Sequence, residues 1–133
     1  MKNKEKLNLS VTLLFIFLLF FSSYLYRRSI KNDIKEHSKF TVGKIRKITT
    51  SLKSGDAWGY EFKYNNRFYE GSKSTHVDYD VKIGDYFIVN FSDKSPNNSN
   101  ILYHYKLNDN NKMYLDSVWD TIPTTLVHSG LKQ

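Results

Sequence analysis

The chain has 133 residues, no cysteine, 16% aromatic residues and a formal net charge of +7. That length gives room for one domain. The lack of cysteine excludes disulfides, thiolate zinc sites, thiol nucleophiles and lipidated cysteines.

The charge is unevenly placed. Residues 1–39 carry eight Lys/Arg against Glu5, Asp33 and Glu36, whereas residues 40–133 carry twelve against ten. The basic excess flanks an apolar run, where it suits anionic lipid headgroups. The remainder is nearly balanced, which argues against a nucleic-acid partner.

Residues 1–6 form a short basic head. Residues 7–26 (LNLSVTLLFIFLLFFSSYLY) contain no charge, glycine or proline. At about 1.5 Å per residue, 20 residues match a hydrocarbon core of ~30 Å, which predicts a transmembrane helix. Tyr24 and Tyr26 stand where an interfacial aromatic belt would, and Arg27 and Arg28 close the span. The rival is a cleaved signal peptide. Against it, the apolar run is long, and Ser22-Ser23 leads into bulky residues rather than a small-residue cleavage site.

Orientation is set by few charges. Three lysines and the α-amine precede the span, and five Lys/Arg follow it (Arg27, Arg28, Lys31, Lys35, Lys39). Strict counting favours a cytoplasmic domain. A basic head before the first apolar run is how exported chains begin, and the expectation adopted is a domain outside the cytoplasm.

Residues 27–39 are a polar connector, expected as a helical continuation or a short stalk. From residue 40 the pattern turns to short β-rich runs. Residues 40–50 are rich in β-branched side chains. Residues 58–64 (WGYEFKY) alternate strictly, with Tyr60, Phe62 and Tyr64 on one face. Asn65-Asn66 predicts a type I′ hairpin turn into residues 67–73, setting Phe62 opposite Tyr69, Tyr64 opposite Arg67 and Glu61 opposite Glu70. Residues 86–91 (YFIVNF) look like a central strand apolar on both faces. Residues 101–107 alternate again, with Ile101, Tyr103, Tyr105 and Leu107 expected on one inward face.

The fold class this predicts is mainly β: an N-terminal transmembrane helix, then a small five-stranded antiparallel barrel or rolled sheet of SH3-like or OB-like size at residues 40–107. Residues 108–133 form a tail in which a short helix is expected at 113–121.

Motifs for chemistry are missing. His37, His76, His104 and His128 are scattered, without metal-ligand spacing. Asp78 and Asp80 flank Tyr79 outside any calcium-loop pattern. No nucleophile elbow or phosphate-binding loop occurs. The reading is therefore a non-enzyme with no cofactor and no metal. The aromatics are first of all core filling. An exposed cluster at Tyr64, Arg67 and Tyr69 is the expected interaction surface, for a protein partner before a glycan.

The chain resembles small, single-pass, membrane-anchored bacterial proteins of Bacteroidetes type whose function is unknown. The resemblance rests on FTVGKI at 40–45, YEFKYNNRFYEG at 60–71, IGDYFIV at 83–89 and the SDKSPNN segment that follows, and covers about residues 7–107. It implies a β-domain beside a membrane helix, in a bacterial inner membrane, and carries no catalytic residues. The functional expectation is protein–protein contact near the bilayer, as an envelope accessory or immunity-type protein. A ligand-binding or enzymatic barrel, or an exported soluble domain, is the alternative.

Overall fold

A computed structural model describes residues 2–52, 55–75, 80–108 and 113–126, with only the backbone of residues 2–7. His76, Asp78, Tyr79, Val127 and His128 lie outside the described residues. The chain divides into two compact units, Met1–Asn32 and Asp33–Gln133.

Helix α1 spans Lys2–Glu36. It takes in the apolar run and most of the polar connector without a break. Through the first unit its large apolar side chains, from Leu9 to Tyr26, are all exposed. Phe17 stacks on Phe21 one turn later, and Thr12 Oγ1 donates back to the Asn8 carbonyl. None of its most apolar window is buried within the chain, and the helix is long and apolar enough to cross a membrane.

Among the described residues the second unit holds six strands: β1 (Ser38–Ser51), β2 (Gly55–Tyr64), β3 (Arg67–Thr75), β4 (Tyr86–Ser92), β5 (Ser99–Leu107) and the short β6 (Val118–Trp119). All pairings are antiparallel, in the order β3-β2-β1-β4-β5, with β6 on β1. The sheet rolls but does not close, so the rolled form of the predicted fold class is the one present.

The hairpin forms in the predicted register. Phe62 faces Tyr69, Tyr64 faces Arg67 and Glu61 faces Glu70. Asn65 and Asn66 both adopt positive φ, 48° and 60°, as a type I′ turn requires. Gly71 lies opposite Tyr60, and a Cβ there would stand 2.3 Å from the Tyr60 ring, so only glycine lets that ring lie flat across β3.

Two hydrophobic cores result, one on each face of the sheet. The first sits inside the roll and gathers Ile45, Trp58, Tyr60, Phe62, Phe87, Val89, Phe91 and Ile101. The second is built on Val42, Ile88 and Leu107 and is closed by the tail through Tyr114, Leu115, Trp119, Ile122 and Leu126. Successive residues of β4 thus serve opposite cores, which accounts for its apolar character on both faces.

Two expectations need correction. The tail has its short helix, but not over 113–121, where a 3-10 turn at 113–114 and β6 stand instead. Strand β2 leaves β1 after the Gly43–Phe62 pair, so the backbone groups of Phe40 and Thr41 need another partner. Trp119 and Val118 supply it, and Thr41 Oγ1 adds a hydrogen bond to the Ser117 carbonyl. Helical structure comes later, at 124–126, immediately after Pro123.

The single inward face predicted for residues 101–107 also fails. Between the Ile88–Leu102 and Phe87–Lys106 pairs, β5 carries three extra residues. This bulge reverses its alternation. Ile101 and Tyr103 therefore join the first core, while Tyr105 and Leu107 join the second.

The tail is structural on this arrangement. Leu126, 2% exposed, should cost about 2–5 kcal/mol when changed to alanine. Exposed Met113 should be neutral to within about 0.5 kcal/mol. Chemical denaturation of the two variants checks this.

Candidate functional site

The tail covers only part of the outer face. Over β2, β3 and the later half of β1 that face is open, and alternation brings Lys44, Arg46, Glu61, Lys63, Phe68 and Glu70 onto it. A shallow open depression of about 540 Å³ lies there, walled by Arg46, Lys47, Thr49, Glu70 and Ser72 and floored by Gly59. A second, of about 400 Å³, lies between the hairpin tip and β6, bounded by Lys63, Asn65, Asn66, Asp116 and Val118.

Two ion pairs lie on this face. Arg46 grips Glu61 through Nε at 3.0 Å and Nη2 at 2.5 Å. This relieves the Glu61–Glu70 opposition set by the hairpin register. Lys63 instead stands 3.8 Å from Asp116, and Lys44 lies 5.6 Å over the Tyr86 ring. Phe68 is the odd member: 66% exposed, on the solvent side of the sheet. Strict alternation from Tyr69 would have found it, since an inward Tyr69 forces Phe68 outward.

The expected interaction cluster divides on inspection. Tyr64 packs edge-on against Phe91 at 4.8 Å, and Tyr69 stacks on Phe62 at 5.8 Å. Both are half-buried at the rim of the first core, and only Arg67 is exposed. Tyr24, Tyr26, Arg27 and Arg28 all lie exposed on α1.

Side chains bridge the seam between β3 and β5, where no ladder forms. Tyr60 Oη and Ser99 Oγ share a hydrogen bond of 2.9 Å. Lys73 Nζ donates to Asn100 Oδ1 at 2.7 Å and to the Ile101 carbonyl at 3.3 Å, while lying 4.3 Å over the Tyr103 ring. Tyr103 Oη donates to the Ser74 carbonyl. An inward lysine on an edge strand discourages pairing with a foreign strand. Burial pushes the Lys73 amine below its ordinary value. Burial also raises the Tyr60 phenol, against a smaller opposing effect of the Ser99 bond.

The chain's end of β1 is fixed to the β4–β5 loop. Asn98 Nδ2 donates to Asp33 Oδ2 at 2.6 Å, the Asp93 amide donates to the His37 carbonyl, and His37 Nδ1 stands 3.9 Å from Asp93. Of the remaining histidines, His104 is exposed on β5. Among the described residues, no group of three or more His, Asp or Glu is placed to hold a metal ion.

Comparison with protein-family models, with curated proteins and with solved structures finds no match. Among the described residues, the open face of the β-domain carries two ion pairs, the exposed Phe68 ring and shallow depressions.

The raised Tyr60 phenol makes a pH prediction. Above about pH 10 the unfolded tyrosine loses its proton while the folded one keeps it. The native state then binds more protons, and stability falls as pH rises. Tyr60→Phe should flatten that alkaline loss, at a cost of about 1 kcal/mol at neutral pH from the Ser99 bond. Denaturation across an alkaline pH series checks this.

Proposed function

We propose that the chain is a single-pass membrane protein, held by an uncleaved helix in a bacterial inner membrane. Its β-domain then works by protein–protein contact close to the bilayer. The observation that carries this is the bare apolar surface of α1: its large apolar side chains from Leu9 to Tyr26 are exposed. In water such a stripe is a standing liability, since exposed apolar patches of this size mark a membrane or partner surface. In lipid it is satisfied, and the basic residues at both ends meet headgroups.

The domain's build supports a contact role rather than catalysis. Its interior is filled by large aromatic side chains, so its chemistry lies outside. The partner-facing surface is the open outer face around Arg46, Lys47 and Glu70. The resemblance to small anchored bacterial proteins agrees with an envelope accessory or immunity-type role, and the basic head supports a domain outside the cytoplasm.

Fractionation tests the anchor. The full-length chain should stay in the membrane pellet through an alkaline carbonate wash, and its intact mass should include residue 1 or 2. A chain released by carbonate, or one beginning near Ser22, would defeat the anchored reading and favour an exported soluble domain.

A further inference from the structure

Rolling brings the two edge strands, β3 and β5, alongside each other, and among the described residues no ladder joins them. An edge strand turns every second N–H and C=O outward, where another chain can pair with them. The ladders show which groups those are. The two-residue turn makes Tyr64–Arg67 a hydrogen-bonded pair, and the unbroken register then makes Ala57–Ser74 a pair without ladder bonds. The Ser74 carbonyl therefore turns away from β2. On the other edge the Ser92 amide donates to the Asn98 carbonyl, and alternation from there leaves Val89–Ile101 without ladder bonds. The Ile101 carbonyl turns away from β4.

Both outward carbonyls are already taken. Lys73 Nζ, from β3, donates to the Ile101 carbonyl of β5 at 3.3 Å. Tyr103 Oη, from β5, donates to the Ser74 carbonyl of β3 at 3.3 Å. The two side chains brace each other, because the amine lies 4.3 Å over the Tyr103 ring. That ring in turn packs edge-on against buried Trp58 at 4.8 Å. Beyond Leu102 the bulge ends the regular edge of β5, and exposed Arg67 and Glu70 flank the far stretch of β3.

A lysine in this place carries a cost. Burial disfavours its charged form, and an unbranched apolar side chain would fill the same space without desolvating a charge. Such a side chain could not hold a carbonyl.

We infer that Lys73 and Tyr103 form a reciprocal cap over the two sheet edges, and that this cap keeps the β-domains of neighbouring copies from pairing edge to edge. The cap belongs to the domain and operates whether or not α1 is embedded. Anchoring sharpens the need for it, since copies confined to one bilayer meet at high effective concentration.

The chain has no cysteine, so introduced cysteines report which parts of two copies meet. Ser72→Cys marks the β3 edge, His104→Cys the β5 edge and Asn97→Cys the β4–β5 loop, all at exposed positions. The full-length chain in detergent micelles is treated with a short bifunctional thiol cross-linker. Each cysteine is used alone, and Ser72→Cys is also mixed with His104→Cys.

With the cap intact, the edge cysteines should cross-link no more than Asn97→Cys. Lys73→Met keeps the packing on the Tyr103 ring and loses the amine. It should raise edge-to-edge cross-linking about fivefold, the weight of one such hydrogen bond, and leave the loop unchanged. Tyr103→Phe keeps the ring, loses the hydroxyl and should act in the same direction; it carries the test if Lys73→Met fails to fold. Lys73→Arg, which still donates, should stay at the level of the intact cap. Folded Lys73→Met or Tyr103→Phe at that same level would overturn the inference. So would a rise shared equally by the loop, or edges that already cross-link as strongly with the cap intact.

Discussion

Strand β4 has no solvent side. Phe87, Val89 and Phe91 are buried on one face and Ile88 on the other, and the rest of the domain follows from satisfying both. A five-stranded sheet can roll over only one of its faces. The other must be covered by something else, and this chain uses its own last described residues. The first core gains its density from aromatic contacts, with Phe62 touching Tyr60, Tyr69 and Phe91. The second is smaller and is half supplied by the tail. A domain near 100 residues has little core to spare, so loss of that cover would be felt throughout.

The same constraint decides which surface of the domain stays open. A roll filled with Trp58, Tyr60, Phe62 and Phe91 leaves its interior to packing. A tail that covers only part of the outer face leaves the rest open. That open part carries charged side chains in place of apolar cover, among them Arg46 holding Glu61 and Lys63 near Asp116. Phe68 breaks the pattern on that face, with its ring exposed to solvent. On α1 the imbalance is larger, because a whole helix of Leu, Ile and Phe side chains is left without protein cover.

Much of the fold was legible in the sequence because its signals are local. Strict alternation at 58–64, the Asn-Asn turn and the matched return strand set the hairpin register, and continuous apolarity marked β4 as central. What escaped was non-local. The helix expected at 113–121 yielded to β6 because β1 had unpaired backbone at Phe40 and Thr41, a need visible only once β2 is seen to leave. The split of β5 between two cores depends on a bulge that alternation alone cannot announce. At the surface, Tyr64 and Tyr69 were recognised as neighbours of Arg67. Their packing against Phe91 and Phe62 depends on how tightly the sheet rolls.

The claim on which the functional account rests is that an uncleaved helix holds the β-domain against a membrane, on its outer side. Asn97 is exposed on the β4–β5 loop. In intact cells, Asn97→Cys should react with a membrane-impermeant thiol reagent while the chain retains its N-terminal helix. Protection until the cells are lysed would place the domain in the cytoplasm and contradict the account.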